Sequence, residues 1–151
     1  MQAPFLSTVL VALLAVAACS PPQGAKTEPE PQAESVSTPG TLEEFQLPSG
    51  NIGCVYIPAG GSAVYRSPDS RAELQCDRIA PTYVRIILSE TGPAVLHEDV
   101  SEAPCCGGET VAYGARWSRG PFTCESAEAG LTCSNAGGGR LLLSRERMET
   151  Q

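Results

Sequence analysis

The stretch Thr82-Tyr83-Val84-Arg85-Ile86-Ile87-Leu88 decides the fold class. Four of its seven residues are β-branched and one is aromatic, a composition that fits a pleated, half-buried strand and not a helix. It ends at Glu90-Thr91-Gly92-Pro93, a turn signal, and a second short apolar run, Ala94 to His97, follows. Outward in both directions the pattern repeats. Short apolar runs predict strands at Ile52 to Ile57, Ala63 to Arg66, Ala72 to Asp77, Thr110 to Tyr113, Phe122 to Ser126, Leu131 to Ser134 and Arg140 to Ser144, separated by Gly, Pro, Asn and Ser clusters. No segment shows a 3.6-residue period over helix length. The only helical candidates are one turn at Glu125 to Ala129 and the charged tail Arg145 to Thr150, which would fray. The expectation is an all-β domain, a small antiparallel sandwich or barrel stapled by disulfides, over residues 42–147, with 148–151 as a tail.

The chain has 151 residues, one histidine, ten Lys and Arg against seventeen Asp and Glu, and a net charge of -7. Nucleic-acid binding is excluded by that balance, because clustered cations supply most of such affinity. A single histidine leaves little for a His-rich metal site or a catalytic triad. Within residues 42–147 thirteen acids stand against nine arginines, spread along the chain without marking one acidic site.

The amino-terminal part decides the compartment. Residues 5–18, FLSTVLVALLAVAA, are uncharged and apolar but shorter than the roughly 20 residues that span a bilayer, so they predict the apolar region of an export signal. Val16-Ala17-Ala18-Cys19 resembles the bacterial lipobox, which implies lipidation of Cys19 and cleavage after residue 18. Ser20 in second place resembles the signal that sorts lipoproteins to the outer membrane, on its periplasmic face. Ordinary secretion, with cleavage at Ala-x-Ala within Ala15 to Ala18, is the alternative. The free Cys19 thiol it would leave is a reactivity liability, which favours the lipid. Several acyl chains, each CH₂ worth about 0.8 kcal/mol when buried, would make the membrane itself the first partner. Residues 19–41, rich in Pro and Glu, cannot bury enough apolar surface to offset their ordering and predict a solvated tether.

Six further cysteines remain: Cys54, Cys76, Cys105, Cys106, Cys124 and Cys133. An even number in an exported chain predicts disulfides, and no C-x-x-C pair supports zinc. Locality favours Cys54 with Cys76, and Cys124 with Cys133 across a hairpin at Glu128-Ala129-Gly130. Cys105 and Cys106 are then left as a strained vicinal bridge, a free thiol pair, or partners in crossed bridging to Cys54 and Cys76; elimination favours the vicinal bridge.

Two stretches carry a resemblance. Phe45-Gln46-Leu47-Pro48-Ser49-Gly50-Asn51-Ile52-Gly53-Cys54, followed by Leu74-Gln75-Cys76-Asp77, is similar to the opening of a family of uncharacterised exported bacterial domains. Tyr113-Gly114, Gly120-Pro121-Phe122-Thr123-Cys124, Gly130-Leu131-Thr132-Cys133-Ser134-Asn135 and Leu143-Ser144-Arg145 resemble the end of the same family. The resemblance covers residues 44–146 and implies a shared β fold with matching local disulfides; it brings no activity. Two departures are visible: Gly138-Gly139-Arg140-Leu141 stands where members often carry G-H-G-F, and the middle cysteines are adjacent instead of separated.

Candidate site residues are few. Ser49, Gly50 and Asn51 follow Pro48 in a tight turn that either serves the chain alone or grips a ligand. Gly137-Gly138-Gly139 lacks the Lys-Ser/Thr of a phosphate loop and predicts a flexible hairpin tip. His97 with Glu98, Asp99 and Glu102 predicts a solvated acidic loop before an acid/base or metal cluster. Trp117 and Tyr113, beside Arg116 and Arg119, predict core filling before a carbohydrate-stacking surface. The expected function is a lipid-anchored binding or structural module of the cell envelope, without metal or cofactor, facing a protein or glycan. Inhibition of an extracytoplasmic hydrolase such as lysozyme is one form of it. The alternative is a thiol-disulfide redox or hydrolytic enzyme using Cys105 and Cys106.

Overall fold

A computed structural model of the chain describes residues 40–101 and 107–151. Cys19, Glu102, Cys105 and Cys106 lie outside the described residues, and so do the expectations placed on them. Among the described residues there is no helix, and thus none long and apolar enough to cross a membrane.

The strands are β1 (Glu43–Gln46), β2 (Ile52–Ile57), β3 (Glu73–Arg78), β4 (Val84–Ser89), β5 (Val95–His97), β6 (Glu109–Thr110), β7 (Arg116–Arg119), β8 (Phe122–Ala127), β9 (Gly130–Asn135), β10 (Arg140–Leu143) and β11 (Met148–Thr150). They form two sheets, ordered β5-β4-β3-β2-β1-β6 and β11-β10-β9-β8-β7. Every pairing is antiparallel except the short parallel contact of β1 with β6. This is the expected all-β sandwich. Alternation drives it: in β4, Val84, Ile86 and Leu88 are buried between half-buried Arg85, Ile87 and Ser89. Phe122, Cys124 and Ser126 do the same in β8. The inward residues of both sheets join one core in which Phe45 stacks on Trp117 at 4.5 Å and Tyr56 lies edge-on to Phe122 at 6.1 Å.

Both local disulfides form. Cys54 faces Cys76 across β2 and β3, Cys124 faces Cys133 across β8 and β9, and each pair has Cα atoms 4.1 Å apart. Such bridges belong to an oxidising, extracytoplasmic environment.

Several expectations are corrected. Ala63 to Arg66 is not a strand: the Ser62 hydroxyl takes the N–H groups of Val64 and Tyr65, a local bond that competes with a ladder. The predicted turn of helix at Glu125 to Ala129 is the end of β8 and the two-residue turn Glu128-Ala129. Residues 148–151 are neither helix nor tail. Leu141 pairs with Thr150, Leu143 pairs with Met148, and Gln151 exchanges both backbone bonds with Arg140 at 2.9 Å, because Met148 packs on the core. The triglycine segment is pinned instead of flexible. A Cβ on Gly139 would lie 2.0 Å from the Gly92 carbonyl oxygen, and the buried Asn135 side chain accepts from Gly139 N at 2.7 Å while donating to Ser89 and Gly92 carbonyls at 2.8 and 2.9 Å. Asn135 thereby ties the β9–β10 turn to the β4–β5 turn of the other sheet.

The outward face of the six-stranded sheet carries one charged knot. Asp77, only 2% exposed, accepts from Arg85 at both oxygens, Nε at 2.7 Å and Nη2 at 2.9 Å. Tyr83 joins them, its hydroxyl 3.3 Å from the same Nη2. Burial first, and then its hydrogen bond to the Asp77 carboxylate, push the Tyr83 phenol up to about 12. Tyr56 and Tyr65 are raised as well, chiefly by burial. Below pH 10 the phenols are neutral folded or unfolded. Between about pH 10 and 12 the unfolded chain releases protons that the folded chain keeps, so stability is expected to fall over that window. Urea midpoints measured across it should decline, and Tyr83→Phe should flatten part of the decline; an identical slope in the variant would contradict the assignment.

Candidate functional site

Three turns from distant parts of the chain meet at one end of the sandwich around a cleft of about 470 Å³. They are the β1–β2 turn with Ser49 and Asn51, the β8–β9 turn at Ala127 to Gly130, and the β10–β11 turn at Ser144 to Arg147, with Tyr113 at the side.

Each turn is fixed by its own sequence. In the first, Leu47 and Ile52 close the loop, Gly50 N donates to Leu47 O at 2.9 Å, and Gly50 adopts φ 65°, which glycine accepts without a Cβ penalty. Asn51 then uses its whole amide on the scaffold: its Nδ2 donates to Ala80 O at 3.0 Å and its Oδ1 accepts from Ala80 N at 2.8 Å. Ser49 Oγ accepts from Asn51 N at 3.3 Å. Of the three candidates in this turn, Ser49 and Asn51 line the cleft, Gly50 shapes the chain, and the Asn51 amide is committed to structure. In the last turn Ser144 Oγ accepts from Glu146 N at 3.2 Å and from Arg147 N at 2.9 Å, which holds the loop that carries Arg145 and Arg147.

Behind the cleft sits a residue singled out by no motif. Arg78 is 3% exposed. Its Nη1 donates to Ser144 O at 3.0 Å, and its Nε and Nη2 donate to Thr82 O at 3.3 and 3.2 Å. Among the described residues no carboxylate forms an ion pair with it. Arg78 joins the two sheets, β3 to the end of β10, and stands opposite Ile52 in the β2–β3 register. The inward alternation Leu74, Cys76, Arg78 is the sequence signal that marks it, a cation where the pattern demands an apolar side chain.

The other candidates disperse. Trp117 is half-buried on Phe45, while Tyr113 is 39% exposed at the cleft, so the two aromatics form no joint stacking surface. Arg116 pairs with Glu125 and Arg119 with Glu43 on the exposed rim of β7. His97, Glu98 and Asp99 are exposed, and a second hollow of about 220 Å³ beside His97 and Asp99 opens onto Arg85. Among the described residues no group of three or more His, Cys, Asp or Glu is placed to hold a metal ion.

No family model matches the chain, and neither the curated proteins nor the solved structures contain a significant match. The resemblance carried by residues 45–54, 74–77, 113–114, 120–124, 130–135 and 143–145 therefore rests on those residues alone.

Proposed function

We propose that the protein is a lipid-anchored binding module of the cell envelope, held to the membrane through Cys19 and presenting the three-turn cleft to a protein or glycan partner. One observation carries the reading. The cleft's polar side chains are spent on its own architecture, Asn51 on Ala80 and Ser144 on the 144–147 turn, while Tyr113 and Arg145 project at its rim beside Arg147, which pairs with exposed Glu149 at 3.7 Å. A rigid rim with projecting Tyr and Arg suits recognition, since both residue types are enriched where binding energy concentrates. Its size falls within the range of ligand clefts, about 300–1,000 Å³. The two disulfides agree with an exported chain.

The test has two arms in living cells. Cys19→Ser should abolish incorporation of a labelled fatty acid into the full-length chain. A photo-crosslinking residue at Tyr113 should give a discrete adduct, whereas the same residue at Val64, which is 83% exposed and outside the cleft, should give none. A Cys19→Ser chain that takes up as much fatty-acid label as the parent chain contradicts the anchor; equal crosslinking from both positions, or none from Tyr113, contradicts the cleft.

A further inference from the structure

We infer that the cleft is selective for the carboxylate of a short acidic peptide segment, received by Arg145 and Arg147 in front of the buried charge of Arg78. This rests on the reading of the cleft as a recognition surface and names the ligand it takes.

Charge at the cleft is screened unequally. The lining holds two arginines, Arg145 and Arg147, and two glutamates, Glu128 and Glu146, all exposed, and Arg147 pairs with the exposed Glu149 at 3.7 Å. Water and salt screen all five strongly. Arg78 differs from them. Among the described residues its guanidinium is held in the interior by carbonyl oxygens and by no carboxylate, so its charge is little screened by solvent. The cleft is close to it: Ser144, whose carbonyl it binds, and Ile52, its partner across the β2–β3 ladder, both line the cavity. A weakly screened cation thus stands behind exposed charges that water and salt damp.

Geometry selects among anions. Ser144 fixes the backbone of the 144–147 turn, so the two arginine stems leave from set positions, and Arg145 has no ion pair among the described residues. A planar guanidinium offers a fork that matches a carboxylate. Glu128 and Glu146 oppose a doubly charged phosphate while tolerating a single carboxylate with an amide or cation beside it. The Tyr113 ring, 39% exposed at the side of the cleft, gives a neighbouring apolar side chain a place to rest.

The experiment titrates the ¹⁵N-labelled full chain with acetyl-Ala-Leu-Glu-amide, with the Gln analogue of the same peptide, and with inorganic phosphate. The Glu peptide should shift the amide signals of Gly130, Ser144 and Arg147 saturably, with affinity that weakens as salt is raised. The Gln peptide should bind about tenfold more weakly, and so should the Glu peptide to the Arg145→Gln/Arg147→Gln double variant, as a charge-assisted pair of roughly 1.4 kcal/mol requires. These two arginines are exposed, so the double variant keeps the fold and carries the test even where Arg78→Gln does not fold. Equal binding of Glu and Gln peptides, tighter binding of phosphate, an unaffected double variant, or no saturable shift each overturns the inference. A Tyr113 adduct in cells alongside any of these results leaves the binding-module reading standing and removes only the carboxylate preference.

Discussion

Replacing Cys54, Cys76, Cys124 and Cys133 together by alanine is expected to lower stability by about 6 kcal/mol and to leave the domain largely unfolded at physiological temperature. The pairs are separated by 22 and 9 residues, and the chain-entropy estimate for loops of this size is about 3 kcal/mol each. Small domains hold only about 5–15 kcal/mol in total, so the loss is comparable with the whole. Both bridges also lie wholly within the core, where each cysteine is at most 2% exposed, and alanine there removes packing as well as the covalent tie. Circular dichroism during thermal and urea unfolding measures the effect. The Cys54→Ala/Cys76→Ala pair should be the more damaging half, because it opens the longer loop. A four-alanine variant with an unchanged urea midpoint would show that the bridges do not staple the sandwich.

The second large effect belongs to the knot on the outward face. Arg85→Met is expected to cost about 3–5 kcal/mol, because it strips both charge-assisted bonds from an Asp77 carboxylate that stays buried. Most of the loss comes from the stranded carboxylate and little from the pair's net worth. Arg85→Met combined with Asp77→Leu should therefore recover most of the stability, since an apolar pair of similar volume often replaces a buried ion pair at little cost. Urea midpoints for the two single variants and the double variant close the cycle. A double variant as unstable as the sum of the singles would mean that the two side chains act independently, against the bidentate geometry.

How much of this was legible in the sequence depends on where each residue's state is decided. Ile52 to Ile57 is legible with the bounds it has, since Ile52, Val55, Tyr56 and Ile57 favour a strand and Asn51 and Pro58 bound it without distant information. The two disulfides were legible for a related reason: each joins neighbouring strands of a hairpin-like unit, so locality in sequence is locality in space. Strands β1, β7 and β11 were missed. Glu43-Glu44, Arg116-Trp117-Ser118-Arg119 and Met148-Glu149-Thr150 carry charge where strand patterns expect apolar residues, and they become strands because a neighbour offers an open edge. In the other direction, Ala63 to Arg66 had the composition of a strand but lost the ladder to Ser62, a single hydroxyl whose choice of partner depends on the loop around it.

The cleft was legible only in fragments. Ser49 and Asn51 drew attention as turn residues, yet their meeting with Ala129 and Arg147 depends on the packing of two sheets, which no local pattern announces. Arg78 is the instructive case. Its inward position follows from the alternation of Leu74 and Cys76, and a cation in that phase marks a place where the chain accepts the cost of a buried charge. Tyr113 was noticed for its aromatic character beside Trp117, but the two part company in the fold, one to the core and one to the rim.

The most direct test of the cleft as a recognition surface is to fill it. Ala129 is exposed and lines the cavity from the two-residue β8–β9 turn, so Ala129→Trp should occupy the cleft without disturbing a strand or a core side chain. The measurement is the yield of the Tyr113 photo-adduct in cells with and without Ala129→Trp, alongside the melting temperature of each chain. The account predicts that the adduct disappears while the melting temperature is unchanged. An adduct of undiminished yield from a cleft already filled by tryptophan would contradict it.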